Sequence, residues 1–486
     1  MSDTPDERCI QPDDDPKGST VSRRQFLKMA GVAGAAVGVG GGLGGLLAAC
    51  GDDEETTTTA GATETTAGGT ETTAGGTETT AGGTETTAGG EMGREVKVGW
   101  VTMTTGVFAG LSEPDDFLLN QAKEAIGDGL VGADGMVHPV AWVVKDSQSD
   151  TNRAAEVTSE LITQDKPDLI TGGMTPVVNI PVGTQCEANG VPCVTYGCPM
   201  EAWFDGMGGD FANPTQGFNW AYNIFFSMEN LITVYTNLLS ALPTNMKLAI
   251  LFPNDPDGVQ FNNILPPAME AAGFTNTNPG LFTNGTEDFS SVISQFKADG
   301  CECLLGAFNP PDFANFWKQS VQNGFSPKTT SIARAILTRP AMDAVGDIGN
   351  GLCLEVWWEK TWPYTSSLTG LTCQGIVDAW EAVESGPYSP ALGLTGGGCF
   401  DVVTDVIQRT ADLDDPASYV EAIKATDLDT IVGHIKFDAP VANSALSPIV
   451  GGQWIGSVGA WERNVATNGL YPDIPITGEV VDRTTL

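Results

Sequence analysis

From about Arg94 onward the chain alternates short apolar runs with amphipathic ones, and it does so in two successive rounds. No other feature limits the possible folds as strongly. In the first round, residues 96–101 read as a strand, and Phe117, Leu118, Gln121, Ala122, Ala125 and Ile126 keep helical spacing. Residues 140–144 are apolar again. Asp150 or Thr151 can then cap a helix with Ala154, Val157, Leu161 and Ile162 on one face. Residues 168–173 are a buried strand ending in glycines, and a helix over 178–188 leads to a strand at 191–195. The second round gives a strand at 247–252, a helix near 259–272 and a segment at 274–282. It continues with a helix over 288–299, a strand at 303–307, a helix over 313–323 and a strand at 330–335. Strands alternating with helices predict parallel sheets wrapped by helices, an α/β fold. Two rounds of similar length predict two lobes. Ligands of such sheets sit beyond the carboxyl ends of the strands, here in a cleft between the lobes.

Charge narrows the partners. The 486 residues carry 23 Lys and Arg against 61 Asp and Glu, a net charge of −38. Such a chain repels nucleic acid and gains little from anionic lipid. Charged residues are only 17% and hydrophobic ones 41%, so a substantial core remains possible. Only two histidines, His138 and His434, are present, which argues against His-based metal or triad chemistry. Both suit structural positions, and no metal or cofactor is expected.

The first 49 residues read as a signal peptide rather than as fold. Ser22-Arg23-Arg24-Gln25-Phe26-Leu27-Lys28 resembles the twin-arginine export motif, and twenty uncharged residues rich in Gly and Ala follow, 30–49. Their glycines make them weakly hydrophobic for a permanent span, although the length suffices for one. Leu47-Ala48-Ala49-Cys50 resembles a lipobox, which implies cleavage before Cys50 and its lipidation. Several acyl chains on one Cys anchor stably. The linker over 50–93 repeats Thr-Glu-Thr-Thr-Ala-Gly-Gly in register at 63–69, 70–76, 77–83 and 84–90. The period is seven, but no position is a large apolar residue, so this is a polar tether and not a coiled coil. Its root-mean-square reach is about 35 Å. The expected product is a globule tethered to the extracytoplasmic face of the membrane.

Six stretches of the globular part, in order, are similar to the substrate-binding proteins of ABC transporters of the leucine/isoleucine/valine-binding type. They are 96–106, 150–173, Ala188-Asn189-Gly190-Val191-Pro192, Gly285-Thr286-Glu287-Asp288-Phe289-Ser290, 313–325 and Gly433-His434-Ile435-Lys436-Phe437-Asp438. The resemblance covers nearly all of 95–486. It implies the two-lobed type I periplasmic-binding-protein fold with three crossings between lobes. Lobe 1 would comprise 95–222 and 360–436, and lobe 2 would comprise 223–359 and 437–486. Hinge closure over a small molecule would signal occupancy to an ABC permease, by a monomer and without catalysis.

In that family hydroxyls and backbone N–H groups of lobe 1 receive a ligand carboxylate. The matching loops hold Thr175, and Thr195, Tyr196, Gly197 and Cys198. The family's serine run is replaced by Pro176-Val177-Val178, and each Thr equally suits a turn. The acid that would meet an ammonium falls on Ala335, beside Arg334, with Asp257 or Glu359 as substitutes. Arg334 in the cleft would favour an anionic or carbonyl-rich ligand; on the surface it would favour none. Phe108, Leu111, Phe308 and Trp357 complete the expected lining, with Trp358 and Trp362 nearby. Neighbours on a strand face opposite ways, so at most one of Trp357 and Trp358 enters the cleft. The ligand would be an amino acid or, more in keeping with Ala335, an aromatic, anionic or amide solute.

Of ten cysteines, Cys9 and Cys50 precede the domain. The even remainder in an exported chain reads as disulfides, with Cys186 and Cys193 the first pair. Two other functions use the same features. A sensor without a transporter needs the same cleft, and an extracellular enzyme would need a nucleophile elbow or a His-rich site that the sequence lacks.

Overall fold

The computed structural model describes residues 90–383 and 386–486. The signal peptide, Cys50 and the repeats lie outside them. Twelve strands build the core. The first sheet takes β1 (Val96–Thr102), β2 (Val140–Asp146), β3 (Leu169–Gly173), β4 (Cys193–Tyr196) and β5 (Ala221–Ile224). The second takes β6 (Lys247–Pro253), β7 (Cys303–Ala307) and β8 (Thr329–Ala333), with 275–277 and 281–282 against the outer side of β6. β9 (Cys353–Val356) follows, then β10 (Ser444–Ala445), β11 (Val450–Ile455) and β12 (Glu462–Thr467).

The first sheet runs β10-β5-β4-β3-β1-β2, and every pairing is parallel. The second runs β6-β7-β8, also parallel. β9, β11 and β12 form a separate antiparallel sheet beside β8 that the α/β rhythm did not foretell. β10 is the informative strand. Its Ser444 and Ala445 pair with Asn223 and Ile224 of β5, some 220 residues earlier. Residues 223–224 and 444–445 therefore belong to the first sheet. The chain leaves that sheet a few residues later than boundaries at 222/223 and 436/437 would have it.

Local chemistry fixes the helix starts. Asp150 accepts from the Arg153 N–H, Ser227 from Asn230, and Asp255 from Gly258, each closing the first turn of its helix. One helical stretch runs from Ala391 to Arg409 and widens to π geometry over Thr395–Asp401. Its glycines permit contact that a side chain would block. A Cβ on Gly398 would lie 2.6 Å from the Tyr196 Cβ of β4. One on Gly393 would lie 2.1 Å from the Trp358 ring, which is fully buried and held by its indole N–H on the Ile431 carbonyl at 3.0 Å. Gly393→Ala ordinarily helps a helix by about 1 kcal/mol. Here it is expected to destabilise by about 2 kcal/mol or more through overpacking, lowering the thermal midpoint by several degrees.

Cys186 and Cys193, the expected disulfide, are free thiols in the structure, as are all eight cysteines of the described residues. The two are fully buried and within hydrogen-bonding reach of each other. Burial, first of all, pushes the Cys186 thiol well above its ordinary range, so it stays protonated and unreactive. Among the described residues no helix is long and apolar enough to cross a membrane.

Candidate functional site

The loops beyond the carboxyl ends of the two parallel sheets face each other across a cleft. From the first lobe it is lined by Phe108, Leu111, Thr175, Pro176, Gly197 and Pro199, and from the second by Asp257, Phe261, Ala333, Arg334 and Glu355. Phe225, Phe226 and Trp357, where the chain crosses between lobes, close the back. The space left inside is about 30 Å³, the share of one water molecule. A ligand of any size requires the lobes to part, which the fold permits because only the crossings join them.

Seven of the expected residues meet here: Phe108, Leu111, Thr175, Gly197, Asp257, Arg334 and Trp357. Four do not. Thr195 is in β4, and its hydroxyl donates to the Tyr222 carbonyl and the Asn223 side chain within the sheet. Tyr196 is turned under the sheet, where its hydroxyl accepts from the Trp100 indole at 3.2 Å. Cys198 sits in a small core of its own with Trp203 and Phe204. Phe308 stacks on Phe316, centroids 5.1 Å apart, and lies tilted against Phe282 and Phe313 inside the second lobe. Of the first-lobe loop only Gly197 lines the cleft; Thr195 and Tyr196 stand on β4, whose side chains project to the faces of the sheet rather than to the loop's tip. Trp357 faces the cleft against Phe225, centroids 5.1 Å apart, and Trp358 packs on the Gly393 helix.

Arg334 lies at the cleft, but its charge is already engaged. Its guanidinium reaches Asp255 at 2.5 Å and Asp257 at 2.8 Å, with Nε on the Phe308 carbonyl. Its backbone is left-handed, with φ of 52°, which turns its own N–H onto the Glu355 carboxylate at 3.1 Å. An arginine paired twice does not serve as the anchor for an anionic ligand.

Glu355 is the residue that sequence reasoning missed. The Tyr235 hydroxyl also donates to it, at 3.0 Å. Burial pushes its carboxyl up to about 7, and pushes Asp257 up to about 6 against the pull of Arg334. Although burial opposes it, Arg334 holds Asp255 below the usual carboxylate range. The cleft thus sets one cation against three carboxylates. Three buried polar atoms of its lining have no hydrogen-bond partner, the Thr175 hydroxyl, Asp257 Oδ1 and the Trp357 indole Nε1. Unpaired buried polar atoms are costly unless water or a ligand satisfies them. Asp257 Oδ1 offers an acceptor from one lobe, and Thr175 can donate from the other. Glu359, the other proposed substitute acid, is bound to Arg463 and Tyr388 instead.

The histidines are structural. His138 bonds the Arg94 carbonyl and Asp134, and His434 pairs with Asp427 and Asp429.

Comparison with known proteins agrees with this geometry. Residues 95–456 match the periplasmic binding protein family, and residues 20–40 match the signal sequence of the twin-arginine translocation pathway. The fold is similar to a leucine binding protein from Thermotoga maritima, at 17% identity and a TM-score of 0.64, covering 78% of this chain and 99% of that one. It is also similar to a solute-binding protein from R. palustris solved with 4-hydroxybenzoate, at 16% identity and a TM-score of 0.63, covering 77% and 96%. A branched-chain amino acid transporter substrate-binding protein from Streptococcus pneumoniae, solved with isoleucine, gives 15% identity and a TM-score of 0.58, covering 76% and 99%. With a two-lobed α/β fold, a cleft between the lobes and a twin-arginine export signal, this chain belongs to the periplasmic binding protein family.

Proposed function

We propose that the solute is an apolar or aromatic molecule carrying a protonated amine, the hydrophobic amino acids and their amides being the simplest members. The observation that carries this reading is the unpaired Asp257 Oδ1 beside Glu355, in a cleft whose arginine is already neutralised. An ammonium needs an anion when it leaves water. Phe108, Phe225, Phe226, Phe261 and Trp357 supply apolar walls and ring faces for the cation. Thr175 at the start of helix Pro176–Asn189 supplies a donor for a carbonyl or carboxylate at the other end.

The receptor binds without turnover, is lipid-anchored through Cys50, acts as a monomer and hands its ligand to an ABC permease as the lobes open. The aromatic walls favour a second reading, an aromatic acid, since a neighbour of this fold holds 4-hydroxybenzoate. Thermal unfolding of the full chain with leucine, leucinamide, phenylalaninamide, isovalerate and 4-hydroxybenzoate separates the two. A ligand at a hundred times its dissociation constant adds about 2.7 kcal/mol, a shift of several degrees. Shifts are expected with the amines and not with the two acids. A shift with 4-hydroxybenzoate alone would replace the amine reading by the second one.

A further inference from the structure

The cleft is nearly filled by its own side chains, but the groove next to it is not. Outside the cleft the two lobes leave an open space of about 610 Å³. Pro176 lines both spaces. So does helix Pro256–Ala271, which shows Asp257 and Phe261 to the cleft and Gln260 and Asn263 to the groove. The groove therefore begins where the cleft ends, and it stays open with the lobes together.

Its chemistry is uneven. One wall is apolar and includes Ile180 and Phe211 of the first lobe. The other carries the side-chain amides of Asn254, Gln260 and Asn263, none of which makes a hydrogen bond to any described residue. Amides that are both donor and acceptor match the groups of a peptide backbone. The carboxylate of Asp205, exposed on the apolar side, has no ion-pair or hydrogen-bond partner among the described residues. Loss of water raises its carboxyl above the ordinary range. A terminal carboxylate reaching it would be repelled, so the chain end lying there is neutral or cationic.

We infer that the ligand site continues from the cleft into this groove and takes an amide-bearing chain, a short peptide whose N-terminal ammonium lies between Asp257 and Glu355. This rests on the amine reading of the cleft. The first side chain of the peptide meets the aromatic walls, Thr175 meets the first carbonyl, and the following amides run along Asn254, Gln260 and Asn263.

Calorimetric titration of the full chain with leucinamide and with Leu-Gly-Gly-amide tests it, and the phenylalanyl pair repeats the test. Two or three hydrogen bonds to the added amides predict roughly tenfold tighter binding of the longer probe. In the Gln260→Leu/Asn263→Leu variant the ratio of the two affinities is expected to fall to near one. These side chains hold nothing in place within the chain, so folding is not at risk. Equal affinities for short and long probes, or a ratio unchanged in the variant, would overturn the inference while leaving the amine reading intact. Binding of neither short nor long probe would overturn the amine reading, and the inference with it.

Discussion

Glu355→Gln is expected to weaken binding of a protonated amine by about a hundredfold and to stabilise the empty protein. The two effects share one cause. Without ligand, burial holds the Glu355 carboxyl up near 7, so between about pH 4.5 and 7 the folded protein keeps a proton that the unfolded chain has released. A group that binds more protons in the folded state makes stability fall as pH rises, here between about 4.5 and 7. Gln removes that dependence, which is worth about 3 kcal/mol at pH 8. The amide keeps the hydrogen bonds, because it can accept from the Arg334 N–H and bond the Tyr235 hydroxyl. The ammonium, in contrast, loses one of its anions, typically a loss of about 2–5 kcal/mol for a buried charge pair.

The wild-type pH profile follows from the same groups. Glu355 must be ionised to receive the amine, so affinity is expected to rise as pH goes from 5 to 7 and to level off above. Asp257, near 6, adds to the slope at the acid end. Glu355→Gln should leave only that lower part. Calorimetry at several pH values, paired with chemical unfolding of the empty protein, reads both effects. If Glu355→Gln weakens binding and also destabilises the empty protein, Glu355 is a packing residue and the electrostatic account fails.

Much of this site was legible from the residue pattern, and the parts that were not have physical reasons. The repeated strand–helix rhythm located both parallel sheets, because each buried strand is an uninterrupted apolar run such as Leu248–Phe252. The antiparallel strands β11 and β12 went unread: Val450-Gly451-Gly452-Gln453 and Glu462-Arg463-Asn464 carry polar residues or glycines where a periodic signal is sought. The loop after β4 was placed at the cleft, yet Gly197 is the only one of its four expected residues that lines it. Thr195, Tyr196 and Cys198 are claimed by a sheet, a buried indole and a separate core, and none of these partners is near in sequence. Glu355 was within reach. In Cys353-Leu354-Glu355-Val356-Trp357 the acid stands two residues before an expected cleft tryptophan, and on a strand that puts both on one face. Arg334 shows the opposite limit. It lines the cleft, but its charge is cancelled by Asp255 and Asp257, nearly eighty residues earlier.

Arg463→Met is expected to destabilise the protein by about 3–5 kcal/mol, although it replaces a charge by an apolar side chain in the core. Arg463 on β12 is almost fully buried and donates to Glu359 at 2.8 Å, to the Leu337 carbonyl at 2.8 Å and to the Trp358 carbonyl at 3.0 Å. Its guanidinium also lies over the Trp454 ring, 5.3 Å from the centroid. Glu359 stands just after β9, where the chain returns toward the first lobe, and its other oxygen accepts from the Tyr388 hydroxyl. Tyr388 precedes the Ala391–Leu394 helix, whose continuation packs on β4 through Gly398. Removing Arg463 leaves a buried carboxylate with only Tyr388 and the Lys360 N–H to satisfy it. The cost is that of an uncompensated charge rather than of a lost attraction. The double change Arg463→Met/Glu359→Leu is therefore expected to lose less than Arg463→Met alone, because the stranded charge goes with its partner. Chemical unfolding of the two variants decides it. A double variant less stable than Arg463→Met would mean that Glu359 contributes through Tyr388 alone. The crossing would then be held by that hydroxyl, not by an ion pair that ties the second lobe to the strand leading into the first.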